Sequence, residues 1–272
     1  MMTDSFSIPV VPNDVDTAMF SQAYDVLRNF AEALNHWTFQ PFGGGAVPRC
    51  DLSELSDDVL KILDDVLGEG EVSARVDDAS RRLSVQESIF PGIWRVREFD
   101  RAGNGIAHWI EAGALPTEVI ECAQQAAQPA LPEISFPEGA MNTPALFSEM
   151  AARLSAFDRA QNAHVINLTL LPLTPDDYEI LTQALPIGPV AIISRGFGSC
   201  RVTSTGVRHI WRVQYFNSKN TLILNTLTIA ECPYSVLAAA EDLEDTRARL
   251  ADLLLWMREC AEDQRLSNQG KS

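Results

Sequence analysis

Apolar residues recur at intervals of three and four between Asp14 and Leu34, and this spacing predicts an amphipathic helix. The same spacing across Phe147–Phe157 and across the acidic segment Glu241–Arg265 predicts two more helices. Shorter apolar stretches between these segments are bounded by glycine, proline or asparagine, as strands usually are. We therefore expect a chain that combines helices with strands.

The word IWRV occurs twice, each time followed three residues later by phenylalanine. Aligning Ile93–Val119 with Ile210–Val236, at an offset of 117, gives eight identities in 27 positions. Chance would give about two, at ~6% identity for ordinary composition. Aligning Val47–Val72 with Val165–Val190, at an offset of 118, gives nine identities in 26. A loop that differs by one residue reconciles the offsets, so a unit of roughly 70 residues is present twice.

Both copies predict the same order of elements: a strand, a helix, several antiparallel strands and a final helix. The first strand covers residues 47–52 in one copy and 165–171 in the other. Ser56 and Thr174 follow as helix N-caps, because a side-chain oxygen at this position accepts a backbone N–H that has no helical partner.

Glycines, prolines and turn residues predict the rest of each unit. We expect the capped helices to close at Gly70 and Gly188, with a second strand after each. The turn sequences RAGNG and NSKN predict hairpins. A last helix is expected to begin near Pro116 in one copy and Pro233 in the other.

Alternation along a strand divides the repeated word between two faces. Trp94 and Trp211 share the face that the neighbouring valines occupy, and we expect this face to be core. Arg95 and Arg212 lie on the opposite face. An arginine between apolar neighbours in both copies is either part of a structural ion pair or a contact for an anion or peptide.

These patterns predict an α+β fold with two pseudo-symmetric repeats, each a mostly antiparallel sheet with flanking helices. An N-terminal helix precedes them and a long C-terminal helix follows. Whether the repeats share one sheet or form two lobes is left open. The predicted segments are a tail, helix and Gly-rich loop (1–46), repeat 1 (47–127), a Pro-rich linker and helix (128–164), repeat 2 (165–240), and a C-terminal helix and tail (241–272). We expect residues 1–13 to be mobile and the last six, SNQGKS, to be disordered.

The chain has 272 residues, of which 46% are hydrophobic, so it is long and apolar enough for a large core. Its 37 acidic and 21 basic residues give a net charge of -16. Such a surface repels phosphate backbones and anionic lipid, which argues against nucleic-acid binding. It favours encounter with a basic partner, although solubility alone also explains an acidic surface.

The first residues lack the basic and apolar regions of a secretory signal, and no apolar run reaches ~18 residues, the length of a membrane-spanning helix. The five cysteines are odd in number and far apart, as is usual for reduced thiols. We therefore expect a cytoplasmic protein that does not insert into membranes.

Motifs for catalysis or metal binding are weak throughout. The four histidines are isolated, and the sequence has no HExxH, no Cys-x-x-Cys, no nucleophile elbow and no phosphate-binding P-loop. The glycine-rich words FGGGAV and RGFGSC, the second of which contains Gly196 and Gly198, are more typical of turns than of phosphate sites. We expect no catalytic residues and no cofactor.

The repeats differ before their second strands. LGEGEV places Glu69 and Glu71 beside glycines in the first copy, where the second copy has Ile187 and Pro189. This acidic loop is either a receptor for a cationic segment or a solvated turn.

Five ordered stretches give the chain a resemblance to a known family: LGEGEVSARV, GIWRVREFD, HVINLTLLPLTPDD, GFGSCRVTSTGVRHIWRV and VLAAAEDLEDTRARL. They resemble the motifs of the HupH/HyaF family of hydrogenase expression/formation proteins, from about Val47 to Met257. The resemblance implies an accessory protein for maturation of uptake nickel-iron hydrogenases. It also implies that the protein is not an enzyme, and no catalytic residues are carried over.

The same resemblance implies two partners: the precursor of the small, iron-sulfur hydrogenase subunit, before twin-arginine export, and a thioredoxin-like accessory protein. The leading interpretation is a chaperone that contacts its client through Glu69, Glu71, Arg95, Arg212, Gly196 and Gly198. An alternative is a transient scaffold or carrier for an iron-sulfur cluster, with Cys200 as ligand. A third is an enzyme with its site between the repeats. The oligomeric state is left open.

Overall fold

The structure is a computed structural model that describes residues 17–42, 45–159, 163–196 and 198–269, with side chains described up to residue 262. The expected mobility of residues 1–13 lies outside these ranges. The helices are α1 Thr17–His36, α2 Asp57–Leu67, α3 Thr117–Gln125, α4 Thr143–Ser155, α5 Pro175–Ala184 and α6 Ala240–Gln269. The strands of the first repeat are β1 Arg49–Asp51, β2 Val72–Asp77, β3 Arg82–Glu87, β4 Ile93–Phe99 and β5 Gly105–Ala112. Those of the second are β6 His164–Asn167, β7 Ile187–Ser194, β8 Ser199–Thr205, β9 Ile210–Phe216 and β10 Leu222–Ile229.

All ten strands belong to one antiparallel sheet, in the order β1-β5-β4-β3-β2-β7-β8-β9-β10-β6. Each repeat contributes five adjacent strands in mirrored order, so the α+β prediction with two repeats is confirmed. The two IWRV words begin β4 and β9, the middle strands of their halves. The question of one sheet or two lobes is thereby answered: the repeats share one sheet.

The two halves meet along the antiparallel pair β2–β7, which we call the seam. Ala74 lies opposite Ile192, and these two residues are also equivalent in the repeat, at an offset of 118. On either side of them, Val72 faces Ser194 and Val76 faces Val190. A pseudo-twofold axis therefore passes between Ala74 and Ile192, as in the self-complementary interface of a symmetric dimer.

One face of the sheet is covered along the whole seam. Helix α3 of the first repeat packs on both β2 and β7, and a 3-10 turn, Tyr234–Val236, packs on β7 beside it. The predicted core face is confirmed, because Trp94 and Trp211 are 0% and 1% exposed there. Their indole N–H groups donate to the carbonyls of Gly113 and Ala230.

The opposite face is covered only on its two flanks. Helices α1, α2 and α6 pack over the first half and enclose a core that includes Ile93 and Ile110. Helices α4 and α5 pack over the second half and enclose Ile210 and Leu227. The strands between these flanks present their side chains to solvent.

The predicted starts of the two capped helices, α2 and α5, are confirmed, and their predicted ends are wrong. The Ser56 hydroxyl accepts the N–H of Val59, and Thr174 forms a capping box. Helix α2 ends at Leu67, because Gly68 takes a left-handed conformation with φ 58° that few other residues adopt. Helix α5 ends at Ala184, and Gly188 lies inside β7.

Three further predictions need correction. The strand expected over 165–171 ends at Asn167, whose side chain accepts the Thr169 N–H and starts a 3-10 turn at Leu168–Leu170. The last helix of the second repeat is only the single turn Tyr234–Val236. Helix α6 continues through Gln269, so the first half of SNQGKS is helical. Among the described helices, none is long and apolar enough to cross a membrane.

Candidate functional site: an open sheet face and its acidic end

The uncovered centre of the sheet is a polar surface that the two repeats build together. We call it the open sheet face. Its residues come from six adjacent strands and alternate with the buried core residues: Ser73, Arg75, Ser84, Gln86, Arg97, Ala191, Ile193, Arg201, Thr203, Arg212 and Gln214. Arg75 and Ala191, which face each other across the seam, are both exposed, although they lie on the two central strands.

One row of this face crosses the six strands in register. It reads Arg97, Ser84, Arg75, Ala191, Thr203, Arg212. The open sheet face contains four arginines and no carboxylate, in a chain whose net charge is -16. Asp77 lies beyond it at the end of β2, where it forms ion pairs with Arg82 and Arg101. Arg97 is paired with Asp64 of α2, and the other three arginines leave the face locally basic, against the average charge of the protein.

The duplicated arginine has an internal partner in the first repeat. The Arg95 guanidinium forms an ion pair with Asp64 of α2 and donates to the Gly68 carbonyl at 2.9 Å. Arg97 reaches the other oxygen of Asp64 at 2.6 Å. Arg95 is 8% exposed, so it ties β4 to α2 beneath the surface.

The second repeat lacks this arrangement. The positions equivalent to Asp64 and Arg97 are Thr182, at an offset of 118, and Gln214, at an offset of 117. Within the described residues, no hydrogen bond or ion pair reaches the half-buried guanidinium of Arg212. Burial alone lowers the pKa of Arg212 from its ordinary value, with no carboxylate nearby to oppose the shift.

The structure brings the predicted acidic loop and the second glycine-rich word together at one end of the seam. The Arg195 N–H donates to the Glu71 carbonyl at 3.0 Å. The Glu71 carboxylate packs directly against Gly196, because a Cβ added at Gly196 would overlap Glu71 Oε2. Gly198 closes the same turn with φ 96°. By contrast, Arg95 and Arg212 lie five strand spacings apart, about 24 Å at ~4.8 Å per strand.

More acids lie at this end of the sheet. Glu87, at the end of β3, is 7% exposed and accepts the Gly92 N–H at 3.2 Å. Burial raises its pKa to about 7, and the nearby charges of Asp242 and Glu71 add to the shift. We call Glu69, Glu71, Glu87 and Asp242 the acidic end. Its exposed members come from two segments far apart in sequence, which sequence patterns did not connect.

The raised pKa of Glu87 predicts a pH dependence that one substitution isolates. The buried carboxyl is protonated in the folded state below about pH 7, so the stability it contributes is complete below its ordinary pKa of 4.5 and is lost as the pH rises through 7. Between pH 5 and 8 the loss is on the order of 2 kcal/mol. Glu87→Gln, which cannot ionise, should gain that much relative to the wild type over this range. Urea denaturation of both proteins at pH 5 and pH 8 measures this gain. If the difference in unfolding free energy between the variant and the wild type is the same at both pH values, Glu87 titrates normally.

Cys200 lies in an environment that suits a structural thiol. Its side chain is 7% exposed, on the covered face, with the Ser235 hydroxyl 3.7 Å from its Sγ. Burial raises its pKa, which disfavours the thiolate that metal ligation requires. Among the described residues, no group of three or more His, Cys, Asp or Glu side chains could hold a metal ion. The donor set around Cys200 does not fit an iron-sulfur cluster.

Two other buried acids had no signal in the sequence. Burial raises the pKa of Glu111 to about 7, with Glu118 adding to the shift, and its carboxylate accepts the Trp109 indole N–H at 2.6 Å. Glu231 lies 2.9 Å from Arg159 and 3.2 Å from the His209 ring. Neither position follows a motif, because the burial of Glu111 and the pairing of Glu231 with Arg159 arise only on tertiary folding.

Comparison with known proteins gives matches across most of the chain. The family described as "HupH hydrogenase expression protein, C-terminal conserved region" matches twice, at residues 21–132 and 140–257. Each match contains one repeat with the helix that precedes it.

Individual relatives agree with the family match. The chain is 39% identical over 254 residues to hydrogenase expression/formation protein HoxQ of Cupriavidus necator, covering 93% of this chain and 87% of that protein. It is 34% identical over 219 residues to hydrogenase-1 operon protein HyaF of Escherichia coli K12, covering 80% and 76%. A solved structure of hydrogenase expression protein HupH from Thiobacillus denitrificans is 27% identical, covers 43% of this chain and 96% of that chain, and has a TM-score of 0.39.

Proposed function

The chain belongs to the HupH family of hydrogenase expression proteins, and we propose that it is a non-catalytic chaperone for the small, iron-sulfur subunit of an uptake nickel-iron hydrogenase. A role in hydrogenase maturation comes with membership of the family. In the finer proposal, the protein binds the subunit precursor before twin-arginine export. A thioredoxin-like accessory protein is the second partner.

The acidic end is the observation that carries this proposal. A precursor bound for the twin-arginine route has a basic leader, and opposite charge raises the rate of encounter. Glu69, Glu71 and Asp242 are exposed there, beside the open turn at Gly196. The carboxylates of Glu69 and Glu71 are available to a cationic segment that approaches the seam, and Asp242, which also accepts the Ala239 N–H at 3.1 Å, adds to the negative charge there.

The shape of the polar surface also supports binding rather than catalysis. Enzyme sites are usually concave and exclude water, so that charges act on a substrate at low dielectric. The open sheet face is broad, and its central residues Arg75 and Ala191 are exposed. Such a surface suits a protein partner.

Retention of the small-subunit precursor on immobilised protein tests the proposal. We expect the precursor to bind and the retention to weaken as salt increases, because screening reduces attraction between exposed charges. Equal retention of a precursor without its leader and of an unrelated acidic protein would contradict the electrostatic account.

A double variant locates the contact. Glu69→Gln with Glu71→Gln should weaken precursor binding several-fold, because two of the exposed charges are lost. The matched control is Glu259→Gln with Glu262→Gln, which removes the same charge from the far end of α6. A loss of equal size in both double variants would mean that only net charge matters.

A further inference from the structure

We infer that the open sheet face is a second contact surface for the same client, and that it binds an acidic segment whose carboxylate pairs with Arg212. This inference rests on the proposed function and assigns a separate surface to the mature part of the client, beyond its leader. The chemistry of the occupant follows from the charges of the face.

The face is long enough for a protein segment. Its central row crosses six strands, about 24 Å at ~4.8 Å per strand. Ser84, Arg75 and Ala191 in the middle of that row are exposed. The helices on the two flanks rise on either side, so a segment lying across the strands would sit between α2 and α5.

Charge complementarity selects an anionic occupant. Arg75 and Arg212 have no hydrogen bond or ion pair within the described part of the chain, while Arg201 donates to Asn220 at 3.0 Å and lies over the Phe216 ring. A carboxylate can accept two parallel N–H bonds from a guanidinium, which gives orientation as well as attraction. Long anionic polymers such as nucleic acid are disfavoured, since the surrounding surface carries the excess negative charge of the chain.

The first repeat contains the contact that we infer for the second. There, Asp64 supplies from within the chain the carboxylate that Arg95 needs. Thr182 occupies the equivalent position on α5, and its hydroxyl is already used in a bond to the Tyr178 carbonyl at 2.8 Å. Arg212 therefore occupies the strand position equivalent to that of the paired Arg95, but the helix position equivalent to Asp64 supplies no carboxylate.

Two substitutions test this inference, one by removing the guanidinium of Arg212 and the other by giving it an internal partner. Arg212→Ala removes the guanidinium, and Thr182→Asp supplies it with an internal carboxylate at the position equivalent to Asp64. Both should weaken binding of the purified small-subunit precursor by at least about tenfold, since hydrogen bonds to charged groups are among the stronger ones. Calorimetric titration measures the affinity. The effect should persist with a precursor that lacks its leader, where the Glu69 and Glu71 variants should have no effect.

The controls separate the contact from net charge and from misfolding. Arg258→Ala removes one positive charge from α6, and Thr182→Asn changes the same residue without adding charge; neither should alter the affinity. Thr182→Asp should also raise the melting temperature, because it pairs a half-buried charge. Undiminished affinity of both test variants would overturn the inference and leave the proposed function intact. If the wild-type protein does not bind the precursor, both the inference and the proposed function are wrong. If Arg258→Ala loses as much affinity as Arg212→Ala, net charge alone explains the effect and the inference is overturned.

Discussion

Replacing Asp177 with alanine should lower the free energy of unfolding by about 4 kcal/mol. The Asp177 carboxylate is 0% exposed and accepts hydrogen bonds from the backbone N–H groups of Asn142, Thr143 and Thr174 and from the Thr143 hydroxyl, at 2.7 to 3.0 Å. It thus fixes the start of α4 to the start of α5. Alanine would leave these donors buried without an acceptor.

The contribution of Asp177 to stability depends on pH in the opposite direction to that of Glu87. Burial alone would raise the pKa of Asp177, but its hydrogen bonds outweigh burial and hold the pKa well below the ordinary value. The stability it contributes is therefore present above the unfolded-state pKa of ~3.9 and is lost as the pH falls towards the folded value.

Denaturation in urea measures the Asp177 effect, and the adjacent acid provides a matched control. Asp176→Ala removes a carboxylate from the same helix turn and should cost only about 0.5 kcal/mol, through the helix dipole. A similar loss in both variants would mean that helix-end electrostatics, rather than the link between α4 and α5, accounts for the stability.

Local signals in the sequence predicted the parts of the fold that short segments determine. The hydroxyls of Ser56 and Thr174 act within a few residues of themselves, so their caps could be identified without a structure. Alternation also placed Trp94 and Trp211 on the core face, because side chains of a strand must take opposite sides.

Long-range pairing could not be predicted in the same way. The repeat showed that two similar units exist, but a sheet edge can pair with any free edge of suitable register. The joining of β2 to β7 depends on how the two copies pack, which no single segment records. Likewise no pattern in the sequence singled out Asp177, because its bonds to Thr143 come from a residue 34 positions away.

The candidate site could also be predicted only in part, because local sequence identifies the two arginines but not their partners. Arg95 and Arg212 occupy identical words, and the sequence left open whether such an arginine forms a structural ion pair or an anion contact. The difference between them lies on the helices of the two repeats, at Asp64 of α2 and Thr182 of α5. The first copy forms the structural pair, and we infer the anion contact for the second.

Exchanging Asp64 for threonine, the residue of the second repeat, should destabilise the protein by about 3 kcal/mol. Arg95 would keep only the Gly68 carbonyl as an acceptor, and it would lie near Arg97 with no carboxylate between the two positive charges. Removing one member of a buried pair costs more than the pair contributes, because the remaining charge stays desolvated. The unfolding midpoint in urea measures the loss.

The second repeat shows how that loss can be partly reversed. An unpaired arginine is tolerated at Arg212, where the position equivalent to Arg97 is Gln214 and only one positive charge is present. Adding Arg97→Gln to Asp64→Thr gives the first repeat the same three side chains as the second. The double variant should recover about 1 kcal/mol of the lost free energy of unfolding, because the repulsion between the two arginines is removed. If the double variant is no more stable than Asp64→Thr, desolvation of Arg95 accounts for the whole effect. In that case the open position beside Arg212 is tolerated because that guanidinium is more exposed than Arg95, and not because the second repeat has one charge fewer.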